Sequence, residues 1–170
     1  MTGKGAASPW QKKLAEQLPL LGHRNWIVIA DSAYPWQNAP GIETLATGEG
    51  QLTTIQFVID LIGQADHVRP IVYLDAELPY LAAKDAPGIK DYRAGLDEAL
   101  SGHNVQSLPH ERIIGLLDEA GKAFRVVILK TNMVLPYTSV FIQLDCGYWS
   151  AEAEQRLRAA FSATPPSRVG

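Results

Sequence analysis

Two unbroken apolar runs, Trp26-Ile27-Val28-Ile29-Ala30 and Pro70-Ile71-Val72-Tyr73-Leu74, and two further stretches of strand length, residues 124–129 and residues 139–144, set the terms for this chain. A strand with one wet face alternates apolar and polar residues, so a continuous run fits a strand covered on both faces. Between the runs the apolar residues recur at helical spacing. Ser8-Pro9 reads as the cap and first residue of a helix that reaches Leu18 and stops at Pro19. Thr53 reads as the cap of a helix carrying Ile55, Val58, Ile59 and Ile62, with Gly63 near its end. Residues 90–100 make a third helical pattern closed by Gly102, and Pro109-His110-Glu111 opens a fourth with Ile113, Ile114, Leu116 and Leu117. Residues 149–161 make a last, amphipathic one.

Residues 41–46 read as a further short strand, and the closeness of the last two runs suggests a hairpin-like pair. The expected class is α/β: a three-layer α/β/α single domain with a mixed or mostly parallel sheet. Residues 1–20 are expected to form an N-terminal extension and helix, 21–149 the α/β domain, 150–163 a C-terminal helix and 164–170 a frayed tail.

Composition narrows the function. The chain has 170 residues, 46% hydrophobic and 19% charged, with a formal net charge of −3, which fits one domain with a sizeable core. It lacks the basic stripe that a phosphate backbone requires, so no nucleic-acid partner is expected. The lone Cys146 closes no intrachain disulfide and builds no cysteine-based zinc site. The opening MTGKGAASPWQKK has no apolar signal-peptide core, and no apolar run approaches the ~20 residues of a membrane span. A cytoplasmic protein without a membrane partner is the expectation.

Motifs for nucleotide binding and for a serine nucleophile elbow are missing. His23, His67, His103 and His110 lack close metal-ligand spacing. The polar residues that stand out sit at strand ends. Gly22-His23-Arg24-Asn25 precedes the first run and Asp31 follows it. If His23 folds back over the sheet, a histidine able to exchange protons near neutral pH and a carboxylate face one crevice. Otherwise His23 is an ordinary loop histidine and Asp31 a turn or cap residue. In residues 130–139, Pro136 stiffens the approach to Tyr137, whose hydroxyl either faces a ligand or packs in a plain loop. His110 stands at a helix N-terminus, where free N–H groups suit an oxygen-rich ligand, or simply at the surface.

Gly22-His23 before a strand, Asp31-Ser32-Ala33-Tyr34-Pro35 after it, and Pro136-Tyr137-Thr138-Ser139-Val140 before the last strand resemble the D-ribose pyranase and L-fucose mutarotase family. Gly41-Ile42-Glu43-Thr44-Leu45 and Lys122-Ala123-Phe124 fall in the expected order, so the resemblance covers about residues 21–147. It implies a three-layer α/β/α subunit in a ring-type homo-oligomer, with a sugar site near the contact between neighbours and no metal or cofactor. The family's histidine acid falls on His23 and its sugar-binding aspartate on Asp31. Its basic late-helix residue falls on His110, with Arg112 the nearby alternative. Its Tyr-x-Asn pattern falls on Tyr137, Thr138 and Ser139, where serine replaces asparagine. The stretch Thr131-Asn132-Met133 also departs from the family pattern, and Trp36 and Gln37 stand where they reshape the site's mouth or merely pack.

The expected function is a monosaccharide mutarotase or pyranase, an isomerase that opens and recloses the ring of a free sugar by acid–base chemistry. The alternative is a non-catalytic sugar-binding or transport-accessory protein on the same fold.

Overall fold

The computed structural model describes residues 6–163. Among them six strands form one sheet: β1 (Trp26–Ala30), β2 (Ile42–Ala46), β3 (Val68–Asp75), β4 (Val105–Leu108), β5 (Val126–Lys130) and β6 (Val140–Cys146), in the spatial order β2-β5-β1-β6-β3-β4. β1, β2 and β5 run parallel, as do β3 and β4, while β6 is antiparallel to its neighbours β1 and β3. Five strands therefore point their carboxyl ends the same way, in a mixed sheet.

Three helices, α1 (Pro9–Gln17), α2 (Gln51–Gly63) and α3 (Ile89–Ala99), cover one face, and α4 (His110–Ala123) covers the other. The unbroken run of β1 follows from this. Ile27 and Ile29 pack with the α1–α3 layer, whereas Trp26, Val28 and Ala30 pack with Ile113 and Leu117 of α4. The N-terminal helix belongs to the core, since Trp10 and Leu14 are buried and Trp10 meets Phe57 of α2 edge-on at 5.1 Å. α5 (Ala151–Ala163) follows β6 with no buried residue. No described helix is long and apolar enough to cross a membrane. Residues 164–170, expected to be a frayed tail, lie outside the described residues.

Two expectations need correction, and one strand is absent from the sequence reading. β5 and β6 are not a hairpin, because β1 lies between them and pairs with both. Residues 131–139 bridge the gap of two strand spacings, roughly 10 Å. The helix α2 starts two residues before Thr53: Gly50, extended at φ −74° and ψ 157°, is its cap, and Thr53 is an exposed residue of the first turn. Finally, the short edge strand β4 has no apolar signature, its residues Val105, Gln106 and Ser107 being exposed.

The segment 131–139 crosses the carboxyl end of β1, and a buried glutamine of α2 holds it there. Gln51, 2% exposed, donates from Nε2 to the carbonyls of Ile29 and Thr138 at 3.0 and 2.8 Å and accepts from the Thr131 hydroxyl at 2.6 Å. The Tyr92 hydroxyl also donates to the Thr138 carbonyl, at 2.6 Å. Met133 accepts at its carbonyl from both the N–H and the hydroxyl of Ser32. Thr131, Asn132 and Met133 thus serve as a brace: Asn132 is tied to Gly48 and Glu49 and Thr131 to Ala30.

Gln51→Met removes every polar contact of a buried side chain, while the Thr138 carbonyl keeps the Tyr92 hydroxyl and the Thr131 hydroxyl keeps the Ala30 carbonyl, so urea denaturation should show a loss of about 1–3 kcal/mol. Gly41 lies so close to the C-terminal end of α4 that a Cβ there would sit 2.3 Å from the Phe124 carbonyl and 2.4 Å from that of Gly121. Gly41→Ala should therefore cost about 2–3 kcal/mol in the same assay. Gly115, on the exposed side of α4 with open space around it, should gain roughly 0.5–1 kcal/mol when changed to alanine.

Candidate active site

Because the segment 131–139 passes over the end of β1, its polar residues meet the carboxylate that leaves that strand. Ser139 is buried; its hydroxyl donates to Asp31 Oδ2 at 3.0 Å and accepts from the Asp31 N–H at 3.1 Å. Oδ1 of Asp31 accepts from the Ala33 N–H at 2.9 Å. Each carboxylate oxygen thus holds one internal donor and keeps acceptor capacity for a ligand. Thr138 is fully buried and its hydroxyl turns away to the Leu135 carbonyl at 2.7 Å, so its contribution here is structural. Tyr137 is 39% exposed with φ 54°, a left-handed conformation uncommon for a residue with a side chain. The bonds of Thr138 on one side and Pro136 on the other hold it there.

His110 opens α4 beside this segment. Its backbone N–H donates to Glu77 Oε1 and Oε2 at 3.2 and 3.1 Å, its Nδ1 lies 3.0 Å from Asp75 Oδ1, and Tyr137 packs edge-on to its ring at 5.5 Å. Asp31, Tyr34, Gln37, His110, Glu111 and Tyr137 line one cavity of about 470 Å³. That size suits a small polar ligand. Of the two late-helix candidates, His110 lines this cavity and the exposed Arg112 does not. Burial raises the Tyr34 phenol, and the charges of Asp118, Asp31 and Asp75 raise it further, so it stays a protonated donor. Trp36 is exposed beside the mouth and Gln37 is tied to Asp118.

His23 stands apart from this group. It sits in the turn before β1, while Asp31 follows β1, and the strand separates them by roughly 17 Å. The crevice shared within one chain does not form: His23 and Asp31 line separate cavities at opposite ends of the buried β1. Nδ1 of His23 lies 3.2 Å from Asp145 Oδ1, and Arg69 donates from Nε and Nη2 to Asp145 Oδ2 at 2.9 and 2.7 Å. Partial burial pushes the Asp145 carboxyl up, but Arg69, the Cys146 backbone and His23 together bring it below the ordinary aspartate range. A cavity of about 580 Å³ opens here, walled by His23, Arg69, Asp145 and, from the far side, Tyr148, Trp149 and Glu154 at the start of α5. His67 is structural: its Nε2 lies 3.1 Å from the carbonyls of both Leu18 and Leu21. Among the described residues no group of three His, Cys, Asp or Glu is placed to hold a metal ion.

The sequence reading missed Asp75, Glu77 and Gln51. Asp75 carries the same signal as Asp31, a carboxylate closing a buried strand, and Gln51 is a polar residue on the apolar face of α2. Glu77 lies in an irregular stretch with no periodic signal.

No protein-family model and no curated protein matches the chain. Solved structures do. Bacillus subtilis RbsD complexed with D-ribose is 24% identical over 85% of this chain and 98% of that one, with a TM-score of 0.53. FucU from Bifidobacterium longum is 18% identical over 81% and 98%, with a TM-score of 0.54. The fucose mutarotase of Streptococcus pneumoniae in complex with L-fucose is 18% identical over 81% and 92%, with a TM-score of 0.52. The chain therefore has the fold of the D-ribose pyranase and L-fucose mutarotase family that its sequence resembles.

Proposed function

We propose that this protein is a monosaccharide mutarotase or pyranase that interconverts anomers or ring forms of a free sugar. The observation that carries the reading is the meeting of Asp31, His110 and Tyr137 in one cavity on the fold of proteins solved with ribose and fucose. Ring opening removes a proton from the anomeric hydroxyl and delivers one to the ring oxygen as the ring C–O bond breaks. Reclosure on the other face of the carbonyl reverses both transfers, so no metal or redox cofactor is consumed. Asp31 accepts sugar hydroxyls and fixes the ring, Tyr137 and His110 complete the polar wall, and His23 supplies the acid.

A sugar lying against Asp31 reaches His23 through a second copy of the chain. His23, its side chain 60% exposed, belongs to one end of the sheet and the Asp31 cavity to the other. A head-to-tail contact joins the two ends, and a rotation that closes makes a ring. Large apolar side chains stand out at both ends. Trp36, Tyr80 and Val134 are at least 83% exposed where β1, β3 and β5 end, while Leu20 and Tyr148 are at least 78% exposed near the start of β1 and the end of β6. Their burial supports such a contact.

Saturation-transfer NMR on ribose, fucose, galactose and related sugars should show exchange between anomers. Contact without exchange makes the chain a sugar-binding protein instead. His23→Ala should lower exchange by about 10²-fold or more, and Asp31→Asn should chiefly weaken binding. Because the two residues belong to different copies in one site, refolding the variants together should restore both residues in about a quarter of the sites of a randomly mixed ring. Exchange no higher than that of the separate variants would sink the shared site, as would a monomer by light scattering that is fully active at every dilution.

A further inference from the structure

His110 is held more firmly than a ligand contact at the mouth of a cavity requires. Glu77 takes its backbone N–H, Tyr137 closes on its ring, and Asp75 faces its Nδ1. Asp75 is 1% exposed, and its second oxygen, Oδ2, is buried with no hydrogen-bond partner. A buried carboxylate that satisfies only one oxygen is costly, and a fold gains nothing from it that an apolar side chain at the end of β3 would not supply. The cost is met at one point only, the ring of His110.

We propose that Asp75 is a positioning residue that fixes His110 with its proton on Nδ1 and Nε2 turned to the cavity, making His110 the acceptor of the anomeric proton. The assignment rests on the mutarotase reading of the cavity. Since Nδ1 points inward to a buried acceptor, Nε2, across the ring, faces the cavity that His110 lines. When Nε2 takes the proton of the anomeric O–H, that bond's electron pair forms the carbonyl. The ring C–O pair passes to the ring oxygen, which takes its proton from the acid, His23. Reclosure returns each proton to its source. The imidazolium so formed lies against a carboxylate, the arrangement by which a buried aspartate serves the histidine of a catalytic triad.

The charges around Asp75 bear on this balance. Burial raises its carboxyl above the ordinary aspartate range, while the hydrogen bond and charge of His110 lower it and Glu77 and Asp31 raise it. Burial holds the phenols of Tyr34 and Tyr92 protonated, and the charge of Asp75 adds to it. Of these groups, only His110 stabilises Asp75 as the anion.

The test reads the ring nitrogens of His110 by long-range ¹H–¹⁵N correlation spectra of the full-length chain at neutral pH, beside anomer exchange. The wild-type neutral ring should carry its proton on Nδ1. In Asp75→Asn the amide donates to Nδ1, so the proton should move to Nε2, and kcat for exchange should fall about 10²-fold or more while KM changes little. A wild-type ring protonated on Nε2 overturns the assignment without recourse to a variant. So does a folded Asp75→Asn protein with the wild-type tautomer and wild-type exchange. A wild-type chain that exchanges no sugar removes the mutarotase reading, and the acceptor role with it. In that case the nitrogen spectra still decide whether Asp75 sets the tautomer.

Discussion

The insertion of β1 between β5 and β6 governs this molecule. Two strands adjacent in sequence are kept apart by a third, and the chain joining them has to pass over the end of the strand it skips. That passage puts Ser139 against Asp31 and Met133 against Ser32, and it brings Tyr137 to the N-terminus of α4. A hairpin between β5 and β6 would have left Asp31 facing solvent. The gap left by β1 also exposes backbone carbonyls at its end, and Gln51 and Tyr92 satisfy them from the helical layer beneath. The cavity floor is therefore a rigid part of the core, and a site built on it holds its geometry without help from a ligand.

The same topology sends His23 to the opposite end. A strand buried on both faces cannot bend far enough to bring the residue before it to the residue after it. Two polar clusters on one short strand are thus fixed apart, and a reaction that uses both needs two copies. The end bearing His23 is not bare in the single chain, because Arg69 and Asp145 hold the histidine from below while Trp149 and Glu154 wall it from above. Trp149 donates to Glu154 at 2.7 Å, and Glu154 in turn accepts from Arg158. α5 is in this sense the rim of a cavity rather than part of the core, which fits a helix without a buried residue.

What the sequence made legible follows burial. Strands β1 and β5 are readable because two covered faces demand unbroken apolar runs, β3 and β6 because shorter apolar stretches mark them, and α4 because Pro109 and its apolar stripe mark it. The edge strand β4 escapes because its stability comes from backbone pairing with β3, to which Gln106 and Ser107 contribute no apolar pattern. Strand order escapes as well, since the pairing partner of β1 is set by contacts across the whole chain. The same distinction holds in the site. Asp31 and Tyr137 are visible as polar residues at strand ends. The role of Ser139 as a brace for Asp31, and the pairing of Asp75 with a histidine far along the chain, arise only when β3, β4 and the crossing segment come together.

The charge of the cavity also bears on what enters it. Asp31 and Glu111 line it, Asp75 and Glu77 lie directly behind His110, and neither lysine nor arginine is among the described lining residues. Within one chain, a phosphorylated sugar would bring a dianion to a wall of carboxylates that only His110 offsets, and like charges at such a distance oppose binding. A neutral polyol meets no such penalty, since its hydroxyls donate to the carboxylates that an anion would have to overcome. The apolar side chains of Ala33, Pro35, Ile114 and Pro136 complete the wall and suit the C–H faces of a sugar ring. On the mutarotase reading proposed above, charge and shape at this end of the sheet thus both favour a free monosaccharide over its phosphate.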